Sequence, residues 1–153
     1  MPAPYYFQIP TQIVYGRDSV RQLGELARKN NVSKALVVTD PGVAGSGVLD
    51  QVLTQLKQSG IEWAVFDQVE VNPTVQTADS ATDLYKQEGC NGVIALGGGS
   101  PLDAGKAVGV LATNPGKAVD YLGIDKVKLP SAPVIAIPTT AGTAAEITDV
   151  TVL

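Results

Sequence analysis

The stretch ALGGGSPLDAGKA, residues 95–107, decides how this chain is read. Three glycines, Gly97, Gly98 and Gly99, close an apolar run, and Ser100, Pro101 and a segment of helical composition follow. A strand that ends in bare backbone and turns at once into a helix lets a ligand approach main-chain N–H groups. The helix dipole favours an anion at that end. A tight structural turn is the competing account. Two stricter phosphate motifs fail. The Walker A pattern finds Ser100 in place of its first glycine and Ala107 after Lys106 in place of Ser or Thr. The Rossmann fingerprint finds Leu102 where its third glycine belongs. What remains is the general device, an anion site on the N–H groups of Gly98, Gly99 and Ser100. Ala104, Gly105 and Ala107 are small enough to bring that helix close to the sheet.

Outward from this stretch, strand-like and helix-like runs alternate. KALVVTD (34–40), IEWAVFD (61–67), GVIALGGG (92–99) and APVIAIPTT (132–140) are short and nearly continuous in apolar residues. That is the pattern of strands covered on both faces. Between them, residues 18–30 place Val20, Leu23, Leu26 and Ala27 on one helical stripe, with Asp18 or Ser19 as the expected N-cap. Residues 47–60 carry Val48, Leu49, Val52, Leu53 and Leu56 on one side and stop at Gly60. Residues 74–90 are periodic and stop at Gly89, and residues 101–114 begin with Pro101 in the first turn. This alternation predicts an α/β fold, an open parallel sheet with helices on both faces, and ligands at the carboxyl ends of its strands. YYFQIPTQIVYG (5–16) differs, with β-prone residues on either side of Pro10 and Thr11. It is expected to form a short hairpin or two edge strands.

The totals narrow the function. A chain of 153 residues is one domain by size, and 44% hydrophobic residues mark it as globular. The net charge of −4 and the lack of a basic stripe argue against nucleic acid as a partner. No run reaches membrane-spanning length, and the first residues lack a signal-peptide pattern, so a cytoplasmic protein is expected. Cys90 is the single cysteine, which excludes an internal disulfide. Histidine is absent altogether. The commonest general base and the commonest transition-metal ligand are therefore missing, and no metal site and no catalytic residue is expected within these residues.

Other residues join the glycine stretch as candidates. PTTAGTAAEIT (138–148) sets Thr139, Thr140, Thr143 and Thr148 around Gly142 after the next strand. Their hydroxyls suit phosphate, ribose or carboxamide groups, or serve only local backbone bonds. Asp40 ends its strand where a carboxylate can hold a ribose hydroxyl, or where a DPG turn needs a capping acid. Asn72 lies in VNPT (71–74), a turn and helix start. Asp103, Asp120 and Glu146 each read as solvated carboxylates when taken alone. Lys106 reads first as a surface lysine, with charge support for a phosphate as the second reading.

VVTD, ALGGGSPLDAGKA and IPTTAGTAAEIT, in that order, resemble the iron-dependent (group III) alcohol dehydrogenase family, and VNPT between them fits as well. The resemblance runs from IVYGRDSV near the start to the last strand. It implies a Rossmann-like cofactor unit of the dehydroquinate-synthase-like superfamily, followed by a helical metal-binding domain. It implies NAD(P)-dependent interconversion of alcohols with aldehydes or ketones. Position by position, Asp40 resembles the residue that meets the adenosine ribose and favours NAD over NADP, and Asn72 one near the same end. Gly98, Gly99 and Ser100 match the pyrophosphate loop, with Asp103 beside it. Thr139, Thr140, Thr143 and Thr148 match the second cofactor loop.

The metal ligands of that family are an aspartate and three histidines in the helical domain. Residues 1–153 are thus expected to be the dinucleotide-binding domain alone, inactive by itself, with iron or zinc belonging to the full-length enzyme. Two alternatives share much of the pattern: half of a glycerol-dehydrogenase-like or dehydroquinate-synthase-like enzyme, and a freestanding nucleotide-binding module. PTTAGTAAE argues against the lyase. The expected partners are a small alcohol or aldehyde in the full-length enzyme and a second copy of the chain. The second copy would pair through the amino-terminal strand, giving a homodimer or higher, because an unpaired edge invites strand addition.

Overall fold

The computed structural model describes residues 11–148 and 150–153. In chain order the elements are α1 (Leu23–Lys29), β1 (Lys34–Val38), α2 (Pro41–Gly45), α3 (Val48–Gln58), β2 (Glu62–Phe66), α4 (Val75–Gln87), β3 (Gly92–Gly97), α5 (Gly99–Thr113) and β4 (Val134–Pro138). Single 3-10 turns stand at Ser19–Gln22 and Ala118–Tyr121. All strand pairs are parallel, in the order β2-β1-β3-β4. The register sets Val38 opposite both Phe66 and Ala95, and Gly97 opposite Pro138. The carboxyl ends of all four strands therefore open on one side.

The two central strands are buried along nearly their whole length, as their unbroken apolar runs require. Alternate residues serve alternate faces. Ala35, Val37, Ile94 and Leu96 pack with Leu23 and Ala27 of α1 and with Leu49, Val52 and Leu56 of α3. Leu36, Val38 and Val93 pack with Ala81 and Tyr85 of α4 and with Ala104 and Val108 of α5. Helices thus cover both faces, as the alternation predicts. The outer strands β2 and β4 are only partly covered.

Helix α5 lies against β3 at unusually short range. A Cβ built on Gly105 would stand 2.5 Å from Ala95 Cβ, and one on Gly109 would stand 2.5 Å from Val134 Cγ2. No real side chain tolerates such a contact. The small residues at these positions set the helix–sheet spacing, and with it the placement of the helix start over the strand ends. Ala107 faces elsewhere, joining Ala78 and Leu111 between α4 and α5.

Three local readings change. Asp18 is left-handed (φ 59°) and caps nothing, so the first helix opens as a 3-10 turn and becomes α-helical only at Leu23. Helix α2, at five residues too short to show periodicity, adds an element to the expected set. It starts on an Asp40 cap with Pro41 in its first turn. Thr11–Tyr15 form no strand. The other half of the expected hairpin, residues 5–10, lies outside the described residues.

Candidate functional site

The ends of β1, β3 and β4 meet around a cleft of about 700 Å³. Asp40, Pro41, Gly42 and Val43 form one wall, and Gln68, Val69, Glu70 and Val71 extend it. Gly98, Gly99, Ser100 and Pro101 form the floor, with Thr139 and Thr140 opposite. Six of the ten predicted site residues, Asp40, Gly98, Gly99, Ser100, Thr139 and Thr140, thus come together in one cavity.

The floor is the start of α5. Gly98 is its N-cap with extended backbone, and no side chain caps this end. Pro101 has no N–H, so the free donors of the first turn fall to the glycines and Ser100. Thr139 N–H donates to Gly97 O at 2.8 Å, which locks the threonine loop beside the glycine loop. A Cβ on Gly98 would lie 3.5 Å from Thr140 Oγ1, and one on Gly99 would lie 3.4 Å from Thr143 Cγ2. Side chains at these glycines would therefore occupy the gap between the two loops. The bare backbone leaves a cradle lined by N–H groups and threonine hydroxyls, which suits a pyrophosphate.

Asp40 does two things at once. Its Oδ1 accepts from Val43 N–H at 2.9 Å, capping α2. Its Oδ2 faces Gly97, where a built Cβ would come within 3.1 Å. The oxygen that caps α2 and the oxygen beside the glycine loop are thus different atoms of one carboxylate.

The other four predicted residues lie outside the lining. Thr143 packs over Gly99, and its Oγ1 accepts from Ala145 N–H at 3.4 Å. Asn72 is exposed, with left-handed backbone (φ 57°), in the link between β2 and α4. Asp103 and Thr148 belong to a separate network centred on Lys106. Asp103 pairs with Lys106 Nζ at 2.9 Å, and both side chains are largely shielded from solvent. Lys106 also donates to Thr148 Oγ1 at 3.3 Å and to the carbonyl of Val150. Asp103 Oδ2 accepts from Val152 N–H at 3.1 Å. Lys106 is therefore a clasp between α5 and the segment after the threonine loop. Asp120 takes the plain role, accepting from Lys117 N–H at 2.8 Å to close a turn.

Sequence reading missed Glu70. It lines the cleft, and its Oε1 accepts from Thr77 Oγ1 at 2.5 Å and from Thr74 Oγ1 at 3.4 Å. The Thr77 hydroxyl, first among several bonds, holds its carboxyl below the usual carboxylate range. The only local signal was an acid just beyond a strand end, ahead of a Thr-x-x-Thr helix start.

A profile of the family "Iron-containing alcohol dehydrogenase" matches residues 10–153. This chain belongs to that family. Among its relatives, a choline dehydrogenase of Bacillus subtilis is 46% identical over 148 residues, covering 94% of this chain and 36% of that protein. An NAD-dependent methanol dehydrogenase of Bacillus methanolicus is 36% identical, covering 96% of this chain and 39% of that one. A 1,3-propanediol oxidoreductase crystal structure superposes with a TM-score of 0.91 at 36% identity, over 95% of this chain and 38% of the other. A sulfoacetaldehyde reductase from Bifidobacterium kashiwanohense, solved in complex with NAD+, has a TM-score of 0.86 at 27% identity, over 96% and 39%. The chain thus spans well under half the length of these relatives.

The group implied by this family for the cleft is NAD, and the residues fit it: an uncapped helix start for the pyrophosphate and an acid at a neighbouring strand end. A divalent metal does not fit. Among the described residues, no three His, Cys, Asp or Glu side chains gather into a metal-binding group.

Proposed function

We propose that this chain is the dinucleotide-binding domain, residues 1–153, of an NAD-dependent alcohol dehydrogenase acting on small alcohols and aldehydes. The observation that carries this reading is the uncapped start of α5, opening onto a cleft shared with Asp40, Thr139 and Thr140. Bound NAD would supply a nicotinamide ring that exchanges hydride with the substrate carbon. The chain's own residues bind and orient. The N–H groups of Gly98, Gly99 and Ser100 hold the pyrophosphate, and Asp40 Oδ2 accepts from a ribose hydroxyl. Thr139 and Thr140 orient the dinucleotide from the β4 side. Thr143 braces Gly99, Asn72 borders the Asp40 end, and Asp103 and Thr148, through Lys106, hold the threonine loop in place. The family resemblance assigns the metal to the helical domain of the full-length enzyme.

Calorimetric titration with NAD tests the reading. Gly98 has backbone angles open to any residue (φ −79°, ψ −162°), so Gly98→Val fills the cradle without backbone strain. The wild type is expected to bind NAD and the variant to bind at least about tenfold more weakly with its fold intact. A wild type without affinity, or a folded variant with equal affinity, overturns the assignment.

We also propose self-association through the amino-terminal segment, in a cytoplasmic setting. Support comes from Ile13 and Tyr15, large side chains left exposed. Among the described residues no helix is long and apolar enough to cross a membrane. Removing residues 1–15 is expected to lower the mass measured by light scattering. An unchanged mass counts against the interface.

A further inference from the structure

The cleft holds two carboxylates and no cation: among its described lining residues, Asp40 and Glu70 are the charged ones. Their proximity follows from the sheet. Thr39 N–H donates to Phe66 O at 2.8 Å, and Val69 N–H donates to Thr39 O at 3.2 Å. Asp40 and Glu70 are each the next residue past this last bond, one leaving β1 and the other following β2. Both acids therefore emerge on the same wall.

Glu70 is also restrained, unlike most exposed glutamates. Thr74 is the N-cap of α4 and Thr77 its third residue, and their hydroxyl oxygens lie 3.1 Å apart. Both donate to Glu70 Oε1. The carboxylate is thus tied to the positive end of α4 and stays ionised across the neutral range.

We propose that Glu70 is a second specificity-determining residue of the nucleotide cleft, acting beside Asp40 to exclude dinucleotides that carry a 2′-phosphate. The proposal rests on the nucleotide reading above. A ribose 2′-hydroxyl is neutral and can donate to a carboxylate. A 2′-phosphate at neutral pH is a near-dianion, and no lysine or arginine of this wall can pair with it. The pyrophosphate charge is common to NAD and NADP and cancels in their ratio. Glu70 therefore acts on the preference between the two: removing its charge relieves a repulsion that both dinucleotides feel through the pyrophosphate and that NADP feels more strongly through its added phosphate.

Glu70→Gln tests this on the full chain, because the amide oxygen can still accept from Thr77 and Thr74 while the charge is gone. Dissociation constants for NAD and NADP are measured by calorimetry at low salt and in 0.5 M NaCl. At low salt the variant is expected to lower the NADP-to-NAD ratio of dissociation constants by about two- to tenfold, with the NAD constant shifting less than the NADP constant. The difference should shrink in high salt, where screening shortens the reach of charge. Asp40→Asn with Glu70→Gln should lower the ratio further than either alone. An unchanged ratio, or equal shifts for both dinucleotides, overturns the proposal and returns Glu70 to a purely structural role at α4. A wild type that binds neither dinucleotide overturns the nucleotide reading itself, and this inference with it.

Discussion

Gly97 and Asp40 face each other across the ends of β3 and β1: a methyl group on Gly97 would lie 3.1 Å from Asp40 Oδ2 and 2.6 Å from Pro101 Cγ. Gly97 also has φ 147°, a region that L side chains rarely adopt. Space and backbone thus demand glycine at this position, between the acid and the helix start. Gly97→Ala is expected to destabilise the fold by about 1–3 kcal/mol and to weaken NAD binding as Pro101 is displaced. Urea denaturation and calorimetry report the two effects. A variant of wild-type stability would show that the loop has slack the structure does not suggest.

Gly105 makes a similar demand deeper in the fold. Its missing Cβ leaves α5 resting on Ala95, so Gly105→Ala must push the helix off the sheet or bend β3. The expected loss is about 1–3 kcal/mol, although alanine is the better helix former by about 1 kcal/mol. Gly45 in α2 is the control, since a Cβ there meets nothing within 4 Å. Gly45→Ala should be neutral or slightly stabilising. Equal urea midpoints for the two variants would refute the packing argument.

These contacts show why some of the architecture was legible and some was not. Leu36, Val38, Ile94 and Leu96 sit in runs that need cover on both faces, so the parallel sheet and its helix layers followed from local pattern. Asp40 and the glycine loop were legible because strand ends in such sheets are where ligands bind. Glu70 was not, because its place depends on β2 lying beside β1 in one register, a nonlocal fact. Asp103 and Lys106 sit three residues apart on a helix, a spacing that allows a pair, but taken singly they read as a solvated carboxylate and a surface lysine. That Lys106 would reach Thr148 and Val150 was not legible in the spacing. The cap expected at Asp18 is not made: its backbone is left-handed, its side chain accepts from no first-turn N–H, and its Oδ2 pairs with Arg21 at 3.5 Å.

The divided role of Asp40 makes two substitutions informative. Asp40→Asn keeps a side-chain oxygen for Val43 N–H and removes the charge. Asp40→Gly removes both. Replacing a capping aspartate by glycine costs only a few tenths of a kcal/mol, so both variants should fold. Both are expected to narrow the preference for NAD over NADP by about two- to tenfold at low salt. Asp40→Gly alone should loosen α2, seen as faster amide exchange at Val43. A preference that survives both substitutions would remove Asp40 from the cofactor assignment.

Alkaline pH should unfold this chain earlier than acid-side arguments would suggest. Burial pushes up the Cys90 thiol, and burial followed by the nearby Cys90 pushes up the Tyr85 hydroxyl. The Glu88 carboxylate, through its hydrogen bond, raises Lys34. In each case the folded state keeps a proton that the unfolded chain gives up at lower pH. Between the unfolded and folded values the unfolded state binds fewer protons, so stability falls as pH rises. The window opens near the free thiol value of about 8.5 and extends through the tyrosine and lysine range. The urea midpoint is therefore expected to hold level from pH 7 to about pH 8 and to decline steadily above it. Cys90→Ala removes the earliest of these protons and should delay the onset of the decline while leaving its later part in place. A midpoint that is flat to pH 10, or a decline that Cys90→Ala leaves untouched at its start, would show that the thiol is not held neutral by the fold.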